Sequence, residues 1–168
     1  MKATSDEREM LEPLLDFTRL KLDTTRTTLH ELREIIRARV ADRESGEMSV
    51  MLQSFGFKQG VPRNADFVFD ARCLPNPYWQ TDLRPYTGRD KPVADFLNDD
   101  LKVRGMFSHI SDFLAHWIPC FEHEGRSYLT IAIGCTGGQH RSVYMVEALR
   151  RHLADNGHRV LVRHRELP

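Results

Sequence analysis

The stretch Gly134-Cys135-Thr136-Gly137-Gly138-Gln139-His140-Arg141-Ser142 constrains this chain more than any other. An apolar run, Tyr128 to Ile133, precedes it with the character of a strand. An amphipathic run, Ser142 to Leu153, follows it with the spacing of a helix. A glycine-bearing loop at a strand-to-helix junction turns several main-chain N–H groups toward one point, where the positive end of the helix dipole also points. Arg141 adds a planar, permanently charged fork at the helix start. A phosphate is the natural occupant of such a nest.

The remainder of the chain reads as α/β. Strands are expected at Val50–Phe55, Phe67–Asp70, 128–133 and Val160–Val162, with helices starting at Pro92 and carrying Val93, Phe96, Leu97 and Leu101, spanning Phe107 to Trp117, and covering 142–154. Strands alternating with helices predict a mostly parallel sheet flanked by helices, whose ligands bind beyond the carboxyl ends of the strands. Asp70–Asn76 and Cys135–Ser142 both follow strands, so both are expected at that end. Arg72 to Lys91, with four prolines, reads as a long ordered loop of the functional kind. Residues 1–46 differ. A strand within Leu14–Leu22, a capping box at Thr28 and Glu31, and apolar Leu29, Leu32, Ile36 and Val40 predict one strand and a helix over 29–43. A lone strand and helix make no core, so 1–46 reads as the tail of an upstream domain. The polar run 42–47 is the boundary, and residues 47–168 form the second domain.

At 168 residues the chain is long enough for one domain, or one domain with a fragment. Lys and Arg total 24 and Asp and Glu total 24, so nucleic-acid binding needs a local patch rather than global charge. No apolar run is long enough to span a membrane, and the start lacks a signal-peptide core. Cys73, Cys120 and Cys135, three thiols at wide spacing, point to reduced cysteines and a cytoplasmic protein. The eight histidines show no metal spacing; His109 and His116 are seven apart. Ile110, Phe113 and Trp117 form an apolar helical stripe expected in the core, whereas Trp79 either plugs the core edge or anchors a partner subunit.

Cys135 followed by five residues and Arg141-Ser142 also matches the C-x5-R-[S/T] loop of cysteine-dependent phosphatases. A thiolate at a helix start has a lowered pKa and attacks phosphorus in line, while the arginine holds the equatorial oxygens. Gly134 stands where such enzymes usually carry histidine, and no Asp sits in a persuasive general-acid setting. A nest that binds without catalysis is therefore favoured, with the phosphatase as the alternative.

Ser54-Phe55-Gly56-Phe57-Lys58, Asp70-Ala71-Arg72-Cys73-Leu74-Pro75-Asn76-Pro77-Tyr78-Trp79, Arg84-Pro85-Tyr86-Thr87-Gly88, Asp90-Lys91-Pro92-Val93 and Gly134 to Val143 closely resemble the RapZ family of RNase adapter proteins, also called YvcJ-like. The resemblance runs from about Met48 to Arg165, and 1–46 resembles the end of that family's kinase-like N-terminal domain. It implies a non-catalytic sensor and adapter, with a fold like a subdomain of 6-phosphofructokinase. Glucosamine-6-phosphate is the implied ligand. Small regulatory RNA, an RNase E-type nuclease and further copies of the chain in dimers or tetramers are the implied partners. No G-x-x-x-x-G-K-[S/T] loop occurs, so no nucleotide cofactor is expected.

By motif position the resemblance places Cys135, Thr136, Gly137, Gly138, His140, Arg141 and Ser142 at the phosphate, and Asp70, Arg72, Asn76 and Tyr78 at the sugar. The bland readings stand beside these: Asp70 caps a turn, Arg72 forms a surface ion pair, and Asn76 before Pro77 makes a turn. Tyr78 stands where some members have His, so it donates a hydrogen bond but does not titrate near neutral pH. The enterobacterial form's basic tail has no counterpart after Glu166-Leu167-Pro168. RNA contact is instead expected from Arg150, Arg151, Arg159, Arg163 and Arg165, with Arg159, Arg163 and Arg165 on one face of the last strand. Weaker and more salt-sensitive RNA binding follows from the missing tail. The bland reading of these arginines is a charged edge strand protected from aggregation.

Overall fold

The computed structural model describes Thr27, Glu31, Leu32, Ile35 and residues 48–168. Glu31, Leu32 and Ile35 are helical, within the helix expected over 29–43. The strand in 14–22, the capping residue Thr28 and the boundary at 42–47 lie outside the described residues.

Four strands form one parallel sheet: β1 (Ser49–Gly56), β2 (Phe67–Asp70), β3 (Tyr128–Cys135) and β4 (Arg159–His164), in the order β2-β3-β1-β4. Within residues 48–168 three α-helices accompany them: α1 (Lys91–Asn98), α2 (Leu101–His123) and α3 (Arg141–Asp155). The chain is therefore α/β with a parallel sheet flanked by helices, as its pattern predicts.

The alternation of side chains along each strand decides what each face meets. Val50 and Leu52 of β1, Leu129, Ile131 and Ile133 of β3, and Val160 and Val162 of β4 share a core with α1, α2 and α3. Phe67 and Phe69 of β2 complete it by packing edge-on against Phe113 of α2. All three helices lie on this face. From α3, Leu149 and Leu153 are fully buried in it. The connections through the helices run across the sheet from β2 to β3 and from β3 over β1 to β4. The connection from β1 to β2 runs in the opposite sense across the sheet. It keeps the usual right hand only by crossing the other face. Segment 57–66 does so, lying over the face that carries Gln53, Arg163 and Arg165.

Two expectations need correction. Leu101 does not continue the helix that starts near Pro92. That helix stops at Asn98, and Asp100 caps a new one by accepting from the Lys102 and Val103 amides at 2.8 and 3.2 Å. Leu101 thus occupies a first-turn position, 76% exposed. Trp117 is not core: it is 43% exposed, because Val103, Ile110, Leu114 and Ile118 form the buried line of α2 and Trp117 flanks it. No described helix is long and apolar enough to cross a membrane.

Candidate functional site

Neighbouring strands β1 and β3 send their following connections to opposite faces: segment 57–66 to one, α3 to the other. Such a switch point opens a crevice at the carboxyl ends of the two strands, the usual ligand position in a parallel sheet. Gly56 ends β1 on one side, and the loop Thr136–His140 leaves β3 on the other.

The loop is built by close approach. Gly134 packs beneath the rings of Phe55 and Phe57, where an added Cβ would come within 2.5 Å of both. The two rings pack tilted at 59° with centroids 4.8 Å apart, and the Arg72 guanidinium lies 3.9 Å above the Phe57 centroid. Gly138 has φ +75°, and its Cα faces the Gly56 amide and the Glu166 carboxylate. Glu166 Oε2 accepts from the Gly56 N–H at 3.1 Å. Thr136, Gly137 and Gln139 are exposed, and a side chain added at Gly137 would enter open space. Among the described residues, no main-chain carbonyl accepts from the amides of 136–139.

Arg141, at the first position of α3, is 5% exposed. Its Nη1 donates to the carbonyls of Arg72 at 2.8 Å and Leu74 at 3.1 Å, and its Nη2 to Thr136 Oγ1 at 3.2 Å. It therefore ties the loop after β2 to the loop after β3, joining the two segments expected to meet. The Ala71 N–H, bonded to the Gly134 carbonyl at 2.8 Å, adds a second tie. Nε of Arg141 and Nε2 of His140 are buried with no hydrogen-bond partner among the described residues. Burial pushes the His140 imidazole below its ordinary pKa.

Asp70 and Arg72 pair with each other. Arg72 Nε donates to both carboxylate oxygens at 3.0 and 2.9 Å, Nη2 to Oδ2 at 2.7 Å, and the Arg72 N–H to Oδ1 at 2.9 Å. The Arg72 hydrogen bonds hold the Asp70 carboxyl below the usual range. The pair is exposed beside the loop. Asn76 caps the short 3-10 turn Pro77–Trp79 through Oδ1 and the Tyr78 N–H, the bland role set out for it. Tyr78 lies exposed against Arg84, whose Nε donates to the Tyr78 carbonyl at 2.8 Å. Trp79 is 73% exposed and plugs nothing.

Cys135 is 2% exposed, on the helix side of β3, with Sγ 3.2 Å from Ser142 Oγ. A phosphatase loop would also set its serine hydroxyl beside the sulfur, so this contact fits both readings. The sulfur is buried, however, and the Arg141 guanidinium that would hold the phosphate is bonded to the Arg72 and Leu74 carbonyls. The structure also divides the arginines predicted for RNA. Arg150 and Arg151 lie on α3, the first paired with Glu147 at 2.9 Å and the second bonded to the Glu147 carbonyl. Arg163 and Arg165 lie on the face opposite α1, α2 and α3, and Arg159 shares their side of β4 by alternation. Three site residues escaped the sequence reading: Phe57 as the platform for Arg72, Gly134 as the space beneath it, and Glu166 beside Gly138. An aromatic on each side of Gly56 signalled the first; nothing local signalled Glu166, which arrives from the far end of the chain.

The family model for the RapZ C-terminal domain matches residues 48–168. The chain is 57% identical over 162 residues to a nucleotide-binding protein of Methylococcus capsulatus, covering 96% of this chain and 55% of that one. It is 52% identical over 167 residues to one of Marinobacter nauticus, covering 99% and 57%, and 48% identical over 166 residues to one of Cellvibrio japonicus, covering 99% and 56%. The chain thus spans little more than half the length of these relatives. With the domain match covering both strand-end loops and the whole sheet, the chain belongs to the RapZ C-terminal domain family.

Proposed function

We propose that this chain is a sensor and adapter that binds an amino-sugar phosphate, glucosamine-6-phosphate, without breaking it, and carries small regulatory RNA to an RNase E-type nuclease. The observation that carries the ligand reading is the switch-point loop. Exposed Thr136 and Gly137 sit at the start of α3, and the Asp70–Arg72 pair stands beside them on Phe57. Arginine suits the phosphate, and aspartate suits a protonated amine. Arg141 acts here mainly by fixing the two loops, with its charge added to the site. The burial of the Cys135 sulfur and the engagement of Arg141 by main-chain carbonyls support binding without catalysis.

The adapter half of the reading rests on the arginine face of β4 opposite α1, α2 and α3, and on the family. Assembly into dimers or tetramers would cover Trp79. The free thiols Cys73, Cys120 and Cys135 suit a reducing cytoplasm. The relatives are named for nucleotide binding; we assign the P-loop form of that property to the part of those proteins outside this match.

Calorimetric titration with glucosamine-6-phosphate tests the ligand. Gly137→Val places its side chain where the structure is open, so the fold survives while the ligand's place is filled. Binding is expected to vanish in Gly137→Val and to weaken about tenfold in Arg72→Ala, the loss of one charge-assisted bidentate contact. Absence of binding to the unaltered chain, or equal binding by all three proteins, overturns the reading.

A further inference from the structure

A cavity of about 300 Å³ lies on the sheet face opposite α1, α2 and α3, between β1, β4, the crossing segment 59–64 and Thr27. Gln53 lines it, buried, and stands directly across from Arg163 in the β1–β4 register. Arg63, Arg163 and Arg165 line it too, and none of its described lining residues is acidic. Arg165 is occupied structurally: it donates to the carbonyls of Gly60 at 3.0 Å and Gln59 at 3.5 Å, holding the crossing segment down. Arg63 and Arg163 pair with no acid among the described residues. The Gln53 side chain likewise has no hydrogen-bond partner among them. Unpaired like charges facing one concavity recover free energy when an anion enters, and the Gln53 amide is free to bond it.

We propose that this cavity receives one phosphorylated nucleoside, either free or as an unstacked unit of an RNA strand. Its volume is at the low end for small-ligand pockets, roughly 300–1,000 Å³, which admits one nucleotide and excludes a duplex. Arg63 and Arg163 hold the phosphate, and a guanidinium plane also stacks on a base. Gln53 presents both a donor and an acceptor to the base edge. Val61 and Pro62 supply an apolar wall. The inference narrows the RNA reading to one cavity, and it is independent of the amino-sugar phosphate reading at the Thr136–His140 loop.

The test titrates the full chain with uridine 5′-monophosphate and with a five-nucleotide uridine oligomer, using Arg163→Ala and Gln53→Glu as variants. Glucosamine-6-phosphate serves as the control ligand, and thermal melts report folding. At least one uridine probe is expected to bind, with affinity falling roughly tenfold or more in Arg163→Ala and vanishing in Gln53→Glu. Binding of the sugar phosphate should be the same in both variants. Arg163 is partly exposed, so Arg163→Ala remains informative if Gln53→Glu fails to fold. Monophosphate binding without oligomer binding supports the cavity with a free nucleotide as its occupant and removes the RNA reading. Oligomer binding that Arg163→Ala leaves unchanged overturns the cavity while leaving the RNA reading in place. No binding of either probe overturns the inference, whatever the sugar phosphate does.

Discussion

The loop after β3 and the cavity beside β4 both present arginine to an anion, but they hold it differently. Arg141 is buried, and its guanidinium is bonded to two carbonyls and a hydroxyl from the converging loops. Arg163 stands on a strand that is the sheet's outer edge, with no acid paired to it among the described residues. A buried cation that organises main chain is part of the fold, and its removal strands the groups it served. An exposed cation beside a cavity contributes little until a ligand arrives. The same residue type therefore separates into a structural clamp and a reserved contact.

The largest expected effect tests that separation through stability. Arg141→Met removes the guanidinium and leaves the carbonyls of Arg72 and Leu74 without their donor. The cost is about 3 kcal/mol, a drop of roughly 6–12 °C in Tm for a chain of this size. Arg163→Ala should stay within about 0.5 kcal/mol of the unaltered chain. Denaturant unfolding of both variants measures the difference. Equal stabilities would erase the distinction between the two regions.

The sheet and the strand-end position of the site were legible because they depend on local order. Alternating apolar residues at 128–133 and the glycine loop before Ser142 need only neighbours in sequence. What the arginines do was not legible, since a guanidinium's partner is set by tertiary approach. Arg141 meets the carbonyl of Arg72, 69 residues away in sequence. Asn76 read as a turn residue by its Asn-Pro pair and as a sugar contact only by resemblance, and its cap of the Tyr78 amide depends on where Oδ1 faces in three dimensions. The second helix start was legible in principle: Asp99-Asp100 before Leu101 is a capping signal that the apolar spacing of 93–101 concealed. The cavity required knowing that β4 lies beside β1 and that the segment after β1 crosses the face on which Arg163 stands.

A smaller effect sharpens the picture within the loop itself. Gly138 and Gly137 are neighbours with opposite constraints. Gly138 has φ +75°, and a Cβ there would lie 2.7 Å from the Gly56 nitrogen. Gly138→Ala should cost about 1–3 kcal/mol through backbone strain and that clash. Gly137 has neither constraint, so Gly137→Ala should leave the melting temperature nearly unchanged while weakening sugar-phosphate binding. A pair of thermal melts with matched titrations reads this directly. If Gly137→Ala loses stability and Gly138→Ala does not, the loop is held by contacts other than those described.

The smallest effect concerns two buried imidazoles. His140 lies under the loop, and His164 lies on β4 next to Arg163 in sequence but on the opposite, helix-covered face of the sheet. His164 Nδ1 is 2.7 Å from Ser54 Oγ, and its Nε2 is 3.1 Å from Glu147 Oε1. Burial pushes both imidazoles below the ordinary value of 6.5; for His164 the Glu147 hydrogen bond partly opposes this. A lowered imidazole is neutral in the folded chain, so the unfolded chain takes up the proton first as pH falls. Each group's stability contribution is then complete well above pH 6.5 and is lost on acidification from about 6.5 toward the folded value. Asp70, Asp90 and Glu147 all titrate below their ordinary values, which leaves the window between pH 7 and 5 to the histidines. Unfolding midpoints at pH 8, 7, 6 and 5 should therefore fall toward acid. His164→Asn keeps a polar atom near Ser54 while removing the titration, and it should flatten part of that slope. His140→Asn should flatten a separate part, because its imidazole is desolvated under a different loop. If one variant removed the whole slope, a single imidazole would carry the titration and the other would not be desolvated as described.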